Sequence, residues 1–190
     1  MSKLGLLGGT FDPPHIGHLI LAQAAYDNLN LQKVLFIPAS RQPHKQHKLI
    51  SSKEIRRAML QLALDGDIRF EVSDIELAKS GLSYTYETLG ILKLLYPDDR
   101  LVLIIGGDNI ADIETWKKPE VIFELAEVAA AIRPDCRQSG KFRDRMTMFK
   151  MPQIEISSTQ IRELVRNQKP IKYLVPEKVE NYIHARRLYL

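Results

Sequence analysis

The 190-residue chain holds 27 basic and 23 acidic residues, a net charge of +4, with 45% apolar and 26% charged residues. That is the composition of a water-soluble globular protein. The charge is too evenly spread for a dedicated nucleic-acid binder, which concentrates a basic face. The single cysteine, Cys136, excludes an internal disulfide and fits a reducing compartment. The strongest apolar run, residues 101–105, falls far short of the ~20 residues a membrane-spanning helix needs. The apolar stretch at 4–7 is too short for a secretory leader, so the cytoplasm is the expected compartment.

In chain order, residues 4–7 read as a buried strand ending in a glycine turn at Gly8-Gly9, followed by helical spacing over about 17–29. A second strand at 34–37 stops at Pro38, and 41–48 is a polar, basic loop. A helix capped by Ser51 or Ser52 runs to about residue 64, with Ile55, Met59, Leu62 and Ala63 as its apolar stripe. A third strand is expected at 68–72, a helix at 85–96 and an apolar strand at 101–105. Residues 109–116 form a turn or short helix, and Pro119 opens another helix that continues over 121–125. Then come a strand at 128–132, a polar loop at 135–145 and a last strand at 154–156. A helix capped by Ser157 or Ser158 and a C-terminal helix opened by Pro176 complete the chain. Strands alternating with helices predict one domain over 1–190: an α/β doubly wound, mostly parallel sheet with helices on both faces. A small C-terminal helical part covers about 157–190. Ligands of such sheets bind beyond the carboxyl ends of the strands, where the strand order reverses.

The stretch GGTFDPPHIGHL, residues 8–19, follows the first strand. His15 and His18 are three apart at a helix start and so share a face. Gly17 between them leaves space for a phosphate chain, and a helix N-terminus is already an anion site. A metal site would need a third protein ligand, and the chain offers no HExxH or cysteine pair. Neither the dinucleotide fingerprint nor a P-loop is present. Histidines that merely cap and pack remain the plain alternative for this stretch alone. Near the other end, ISSTQIR places Ser157, Ser158 and Thr159 at a second helix start, with Arg162 one turn in. Hydroxyls and free N–H groups there suit further phosphate oxygens, although an ordinary serine cap has the same look.

Together the two motifs resemble the nucleotidyltransferase superfamily, with its early HxGH-type motif and late Ser/Thr-rich, Arg-containing motif. The resemblance is closer still to bacterial nicotinate-nucleotide adenylyltransferases. GGTFDPPHIGHL, IPASRQPHK, SYTYETL, IIGGDNIADIETWKKP and ISSTQIR carry it in the family's order, over nearly the whole chain apart from residues 135–151. It implies a Rossmann-like fold and the transfer of AMP from ATP to nicotinate mononucleotide, giving nicotinate adenine dinucleotide and pyrophosphate. The attack would be in line, without a covalent enzyme intermediate, with Mg²⁺ bound through the ATP phosphates. His15 and His18 would be catalytic, His18 nearest the α-phosphate. Gly8, Gly9, Thr10, Phe11, Gly17, Gly106, Asp108, Ile156, Ser157, Ser158, Thr159 and Arg162 would form the ATP side, with Asp108 on a ribose hydroxyl. His44, Lys45 and Arg133 would meet the mononucleotide phosphate. Tyr84, Thr85, Trp116 and Lys117 would form the pyridine end, Trp116 by stacking and cation–π attraction.

The chain reads Gly106-Gly107-Asp108 where many relatives have Gly-Ala-Asp. Rival readings are a pantetheine-phosphate or nicotinamide-preferring adenylyltransferase, a nucleotide-sensing module and an RNA-binding domain. SYTYETL and DNIADIETW disfavour the pantetheine enzyme. The expected partners are thus ATP and nicotinate mononucleotide, with no nucleic acid and no membrane, and with a homodimer left open.

Overall fold

The computed structural model describes residues 2–40, 50–79, 81–132 and 140–190. Among these residues six strands form one sheet: β1 (Lys3–Gly9), β2 (Lys33–Pro38), β3 (Phe70–Val72), β4 (Arg100–Ile105), β5 (Glu127–Ile132) and β6 (Met146–Lys150). The order is β3-β2-β1-β4-β5-β6 and every ladder is parallel. The α-helices are α1 (Ile16–Leu29), α2 (Lys53–Leu64), α3 (Thr85–Leu95), α4 (Asn109–Asp112), α5 (Pro119–Leu125), α6 (Ser158–Arg166) and α7 (Glu177–Ala185). This is the doubly wound, Rossmann-like arrangement, here with a wholly parallel sheet. No described helix is long and apolar enough to cross a membrane.

Strand side chains alternate between the two faces, and this decides what each helix covers. Leu101, Leu103 and Ile105 of β4 join Leu89 and Leu92 of α3 and Ile122 of α5 in one apolar cluster. Val102 and Ile104 join Ala22, Ala25 and Leu29 of α1 and Leu60 and Leu64 of α2 in the other. Covering on both faces is why the central strands read as unbroken apolar runs. A third cluster links Met59 of α2 to Ile161 and Val165 of α6 and to Val179 and Ile183 of α7. It fastens the C-terminal helical part to the domain. Caps fall where the sequence puts them: Ser52 accepts from Ile55 N–H at 3.4 Å, and Ser157 from Gln160 N–H at 3.1 Å.

Four local expectations are corrected. Gly8 and Gly9 do not turn; they are the last residues of β1, paired with Ile37 and Pro38. The chain turns after them, where Phe11 takes a φ of 51°. Gly9 makes room for the Phe11 ring, since a Cβ there would stand 2.9 Å from Phe11 Cζ. A left-handed Phe costs of order 1–3 kcal/mol, and burying its ring against Phe36 offsets that. Residues 154–156 are irregular chain, and the sixth strand lies earlier, at Met146–Lys150. As an edge strand β6 buries Met146 and Phe149 but exposes Thr147 and Lys150, so it has no apolar run to advertise it. The third strand begins only at Phe70, with Ile68 exposed. Finally, α2 buries Arg56, Met59, Leu60 and Leu64, while Ile55, Leu62 and Ala63 are only partly covered. The helix lies between the sheet and the C-terminal part, so its buried stripe is wider than one row.

Candidate active site

Strand order reverses at β1, which has β2 on one side and β4 on the other. β1 stays paired with β2 as far as Gly9 but with β4 only as far as Leu6 opposite Leu103. Beyond that point the two strands part, and the gap opens into a cleft of about 1020 Å³. Its walls come from the end of β1, the β1–α1 loop, the end of β4, the start of α3 and the start of α6. Every described residue singled out from the sequence lines this one cleft: Gly8, Gly9, Thr10, Phe11, His15, Gly17 and His18; Tyr84 and Thr85; Gly106, Asp108, Trp116 and Lys117; Ile156, Ser157, Ser158, Thr159 and Arg162. His44, Lys45 and Arg133 lie outside the described residues.

On the first wall, His15 and His18 occupy the N-cap and N3 positions of α1, arranged as a capping box. His15 N–H donates to His18 Nδ1 at 3.2 Å. With Nδ1 an acceptor, neutral His18 carries its proton on Nε2. The two rings stack at 3.6 Å with 22° between planes, and the edge of the pair meets Phe11 at 4.9 Å. Gly17 serves this stack: a Cβ there would lie 3.1 Å from His15 Nδ1. The room expected for a phosphate at Gly17 is therefore partly taken by an imidazole.

The start of α6 is bonded to this wall. Ser158 Oγ donates to Pro13 O at 2.8 Å, and Arg162 donates to Asp12 O at 2.7 Å and to Thr159 Oγ1 at 3.2 Å. Two motifs about 145 residues apart in sequence thus close on each other. Beneath them lies a set of charges that the pattern reading missed. Asp12 is 1% exposed and Arg56 2% exposed. Arg56 donates to Ser51 O at 3.1 Å, Thr10 O at 2.9 Å and Ser40 O at 3.3 Å, tying the ends of β1 and β2 to the start of α2. Burial pulls its guanidinium below the usual arginine range, and the neighbouring Asp12 carboxylate opposes this. The signal in the sequence was an arginine next to Ile55 inside an apolar helical stripe.

Elsewhere in the cleft lining, Thr85 is the first residue of α3. Lys117 Nζ sits 4.1 Å from the Tyr84 ring centroid, a cation–π contact. Trp116 is half-buried, one part against the apolar core and one part in the cleft. Behind them Glu76 is nearly buried and accepts from Thr88 Oγ1 at 2.7 Å. Burial raises its carboxyl above the usual range, and hydrogen bonds from Ser83 and Thr88 act in the other direction. Ser83 Oγ in turn accepts from Ser40 N–H at 3.1 Å. Nothing in the local sequence marks Glu76, which lies in irregular chain.

The cytidylyltransferase-like family model matches residues 6–164. A protein of Halalkalibacterium halodurans described as a probable nicotinate-nucleotide adenylyltransferase is 40% identical over 190 residues, covering 100% of this chain and 92% of that protein. One of the same description from Geobacillus thermodenitrificans is 41% identical over 189 residues, covering 100% of this chain and 87% of that protein. Among solved structures, nicotinic acid mononucleotide adenylyltransferase of Plasmodium falciparum complexed with NaAD matches with a TM-score of 0.83. It is 20% identical, over 100% of this chain and 98% of that one, a likeness that establishes the fold. The chain belongs to the cytidylyltransferase-like family, and within it to the nicotinate-nucleotide adenylyltransferases.

Proposed function

We propose that the chain transfers AMP from ATP to nicotinate mononucleotide, releasing pyrophosphate and forming nicotinate adenine dinucleotide. The observation that carries this reading is the interlocking of the GGTFDPPHIGHL and ISSTQIR stretches within the lining of one cleft, through Ser158–Pro13 and Arg162–Asp12. Both stretches, with their candidate phosphate-binding groups, line the same cleft as Tyr84, Thr85, Trp116 and Lys117.

The mononucleotide phosphate is already an anionic nucleophile. One of its oxygens forms a bond to the α-phosphorus as the bond to the β-phosphate oxygen breaks, so the protein must align and neutralise rather than abstract a proton. His18, with its proton on Nε2, offers a donor to the α-phosphate, and His15 stacks behind it. Ser157, Ser158, Thr159 and Arg162 sit on the triphosphate side, and Asp108 serves as a ribose acceptor. Trp116 stacks on the positively charged pyridinium ring. The first turn of α3 at Thr85, with Lys117, suits a carboxylate better than an amide. Among the described residues no three His, Cys, Asp or Glu side chains are grouped to hold a metal by themselves. Mg²⁺ is proposed to arrive on the ATP phosphates, which keep it largely water-bound, and to supply neutralisation of the leaving pyrophosphate.

Mixing the protein with ATP, Mg²⁺ and nicotinate mononucleotide should release pyrophosphate. No release there, with release on adding phosphopantetheine instead, would overturn the assignment.

A further inference from the structure

Beyond α7, Tyr189 reaches the β1–α1 loop that lines the cleft. After α7 the backbone turns back on itself: Arg187 N–H donates to His184 O and Leu188 N–H to Ile183 O. Arg187 and Tyr189 take φ of 49° and 67°. Leu188 packs into the third apolar cluster, and this aims Tyr189 at the β1–α1 loop. There its hydroxyl donates to Asp12 Oδ1 at 2.7 Å. The other carboxylate oxygen accepts from Ser51 N–H at 3.1 Å, and the Asp12 carbonyl accepts from Arg162. The same C-terminal part also holds the start of α1, where Ile16 N–H donates to Leu174 O at 2.9 Å.

We infer that Tyr189 is a positioning residue, whose hydrogen bond to Asp12 fixes the β1–α1 loop and so sets the two histidines against the transferring phosphate. Asp12 lies between Phe11, which meets the His18 ring, and Pro13, which anchors Ser158. A shift of the Asp12 carboxylate moves both contacts. A buried carboxylate needs its acceptor sites filled, and Tyr189 fills one of them. Burial and the nearby Asp12 charge push the phenol well above its usual range, so it stays a donor at every working pH. Tyr189 touches no reacting atom and acts only through the loop. In-line transfer depends steeply on alignment, so the loss should fall on the chemical step.

This inference rests on the adenylyl-transfer reading, and the experiment separates the two. Wild type and Tyr189→Phe, both full-length, are compared for pyrophosphate release from ATP and nicotinate mononucleotide. Hydrogen exchange is followed by peptide in the same samples. Expected are a kcat lowered about tenfold or more, both KM values within about threefold of wild type, and faster exchange confined to peptides covering residues 10–18. A kcat within twofold of wild type overturns the inference. So does a loss of kcat accompanied by equally faster exchange in α5 and β5, which would make Tyr189 a general stabiliser. A silent wild type instead overturns the adenylyl-transfer reading, and the exchange pattern alone then decides whether Tyr189 orders the loop. Tyr189→Ala, if it folds, should lower kcat at least as far as Tyr189→Phe; a smaller loss counts against the hydroxyl.

Discussion

Arg56 offers the most direct physical test of how the cleft is held open. The residue is 2% exposed and its guanidinium donates to three backbone carbonyls, at Ser51, Thr10 and Ser40. Arg56→Ala leaves those carbonyls without their charged donor and the buried Asp12 without one of its neighbouring cations. Hydrogen bonds from a charged group contribute about 1.5–3 kcal/mol each, and water entering the vacated space restores part of the loss. Breaking a buried charge arrangement by removing one member costs about 3–5 kcal/mol. We set the expected loss at about 4 kcal/mol, which for a chain of this size is about 8–16 °C in Tm. Urea unfolding followed by circular dichroism measures it, provided the m-value is unchanged. Arg56→Lys keeps the charge but gathers its three donors on one nitrogen, which cannot span carbonyls from three segments, and should fall between wild type and the alanine variant. A loss below about 1 kcal/mol in the alanine variant would refute this account of Arg56.

Three further outcomes follow from the site. His18→Ala should lower kcat by about 10²–10³, the effect of removing one donor from a developing negative charge, with the far-UV spectrum unchanged; an unaltered kcat would remove His18 from the transition state. Trp116→Ala should raise the KM for nicotinate mononucleotide more than that for ATP, and the reverse pattern would move Trp116 to the adenine end. Glu76 has a carboxyl raised by burial above its ordinary 4.5, so the folded state binds that proton more tightly than the unfolded chain. Its contribution is most favourable below the ordinary value and is lost as pH rises through the raised one. Glu76→Gln should therefore gain stability relative to wild type between pH 4 and pH 8 in parallel urea titrations, and an equal difference at both pH values would contradict this.

Periodicity and punctuation made most elements legible. Apolar runs at β1, β2, β4 and β5, serine caps at α2 and α6, and prolines opening α5 and α7 each have a local physical cause. What escaped depended on distant partners. The edge strand β6 carries half its residues in water, so Met-Thr-Met-Phe-Lys gives little alternation to find. Residues 154–156 look like a strand because two isoleucines flank Glu155, yet they serve to carry Ser157 across to the cleft. The motif residues were legible through the family resemblance they carry, and the structure brings the described ones to one cleft. The frame of Asp12, Arg56, Glu76 and Tyr189 was much less so, since each makes full sense only against partners that the fold brings to it. Gly17 was half legible: space was expected there, but the structure uses part of it for the His15 ring.

The central claim is that one end of the β1/β4 cleft transfers an adenylyl group while the other receives an acidic pyridine nucleotide. A side-by-side comparison of kcat/KM for nicotinate and nicotinamide mononucleotide, at saturating ATP and Mg²⁺, tests it most directly. A preference for the acid of at least about tenfold is expected, because donors aimed at a carboxylate meet the NH₂ of an amide that cannot accept from them. Equal rates, or a faster amide, would contradict it.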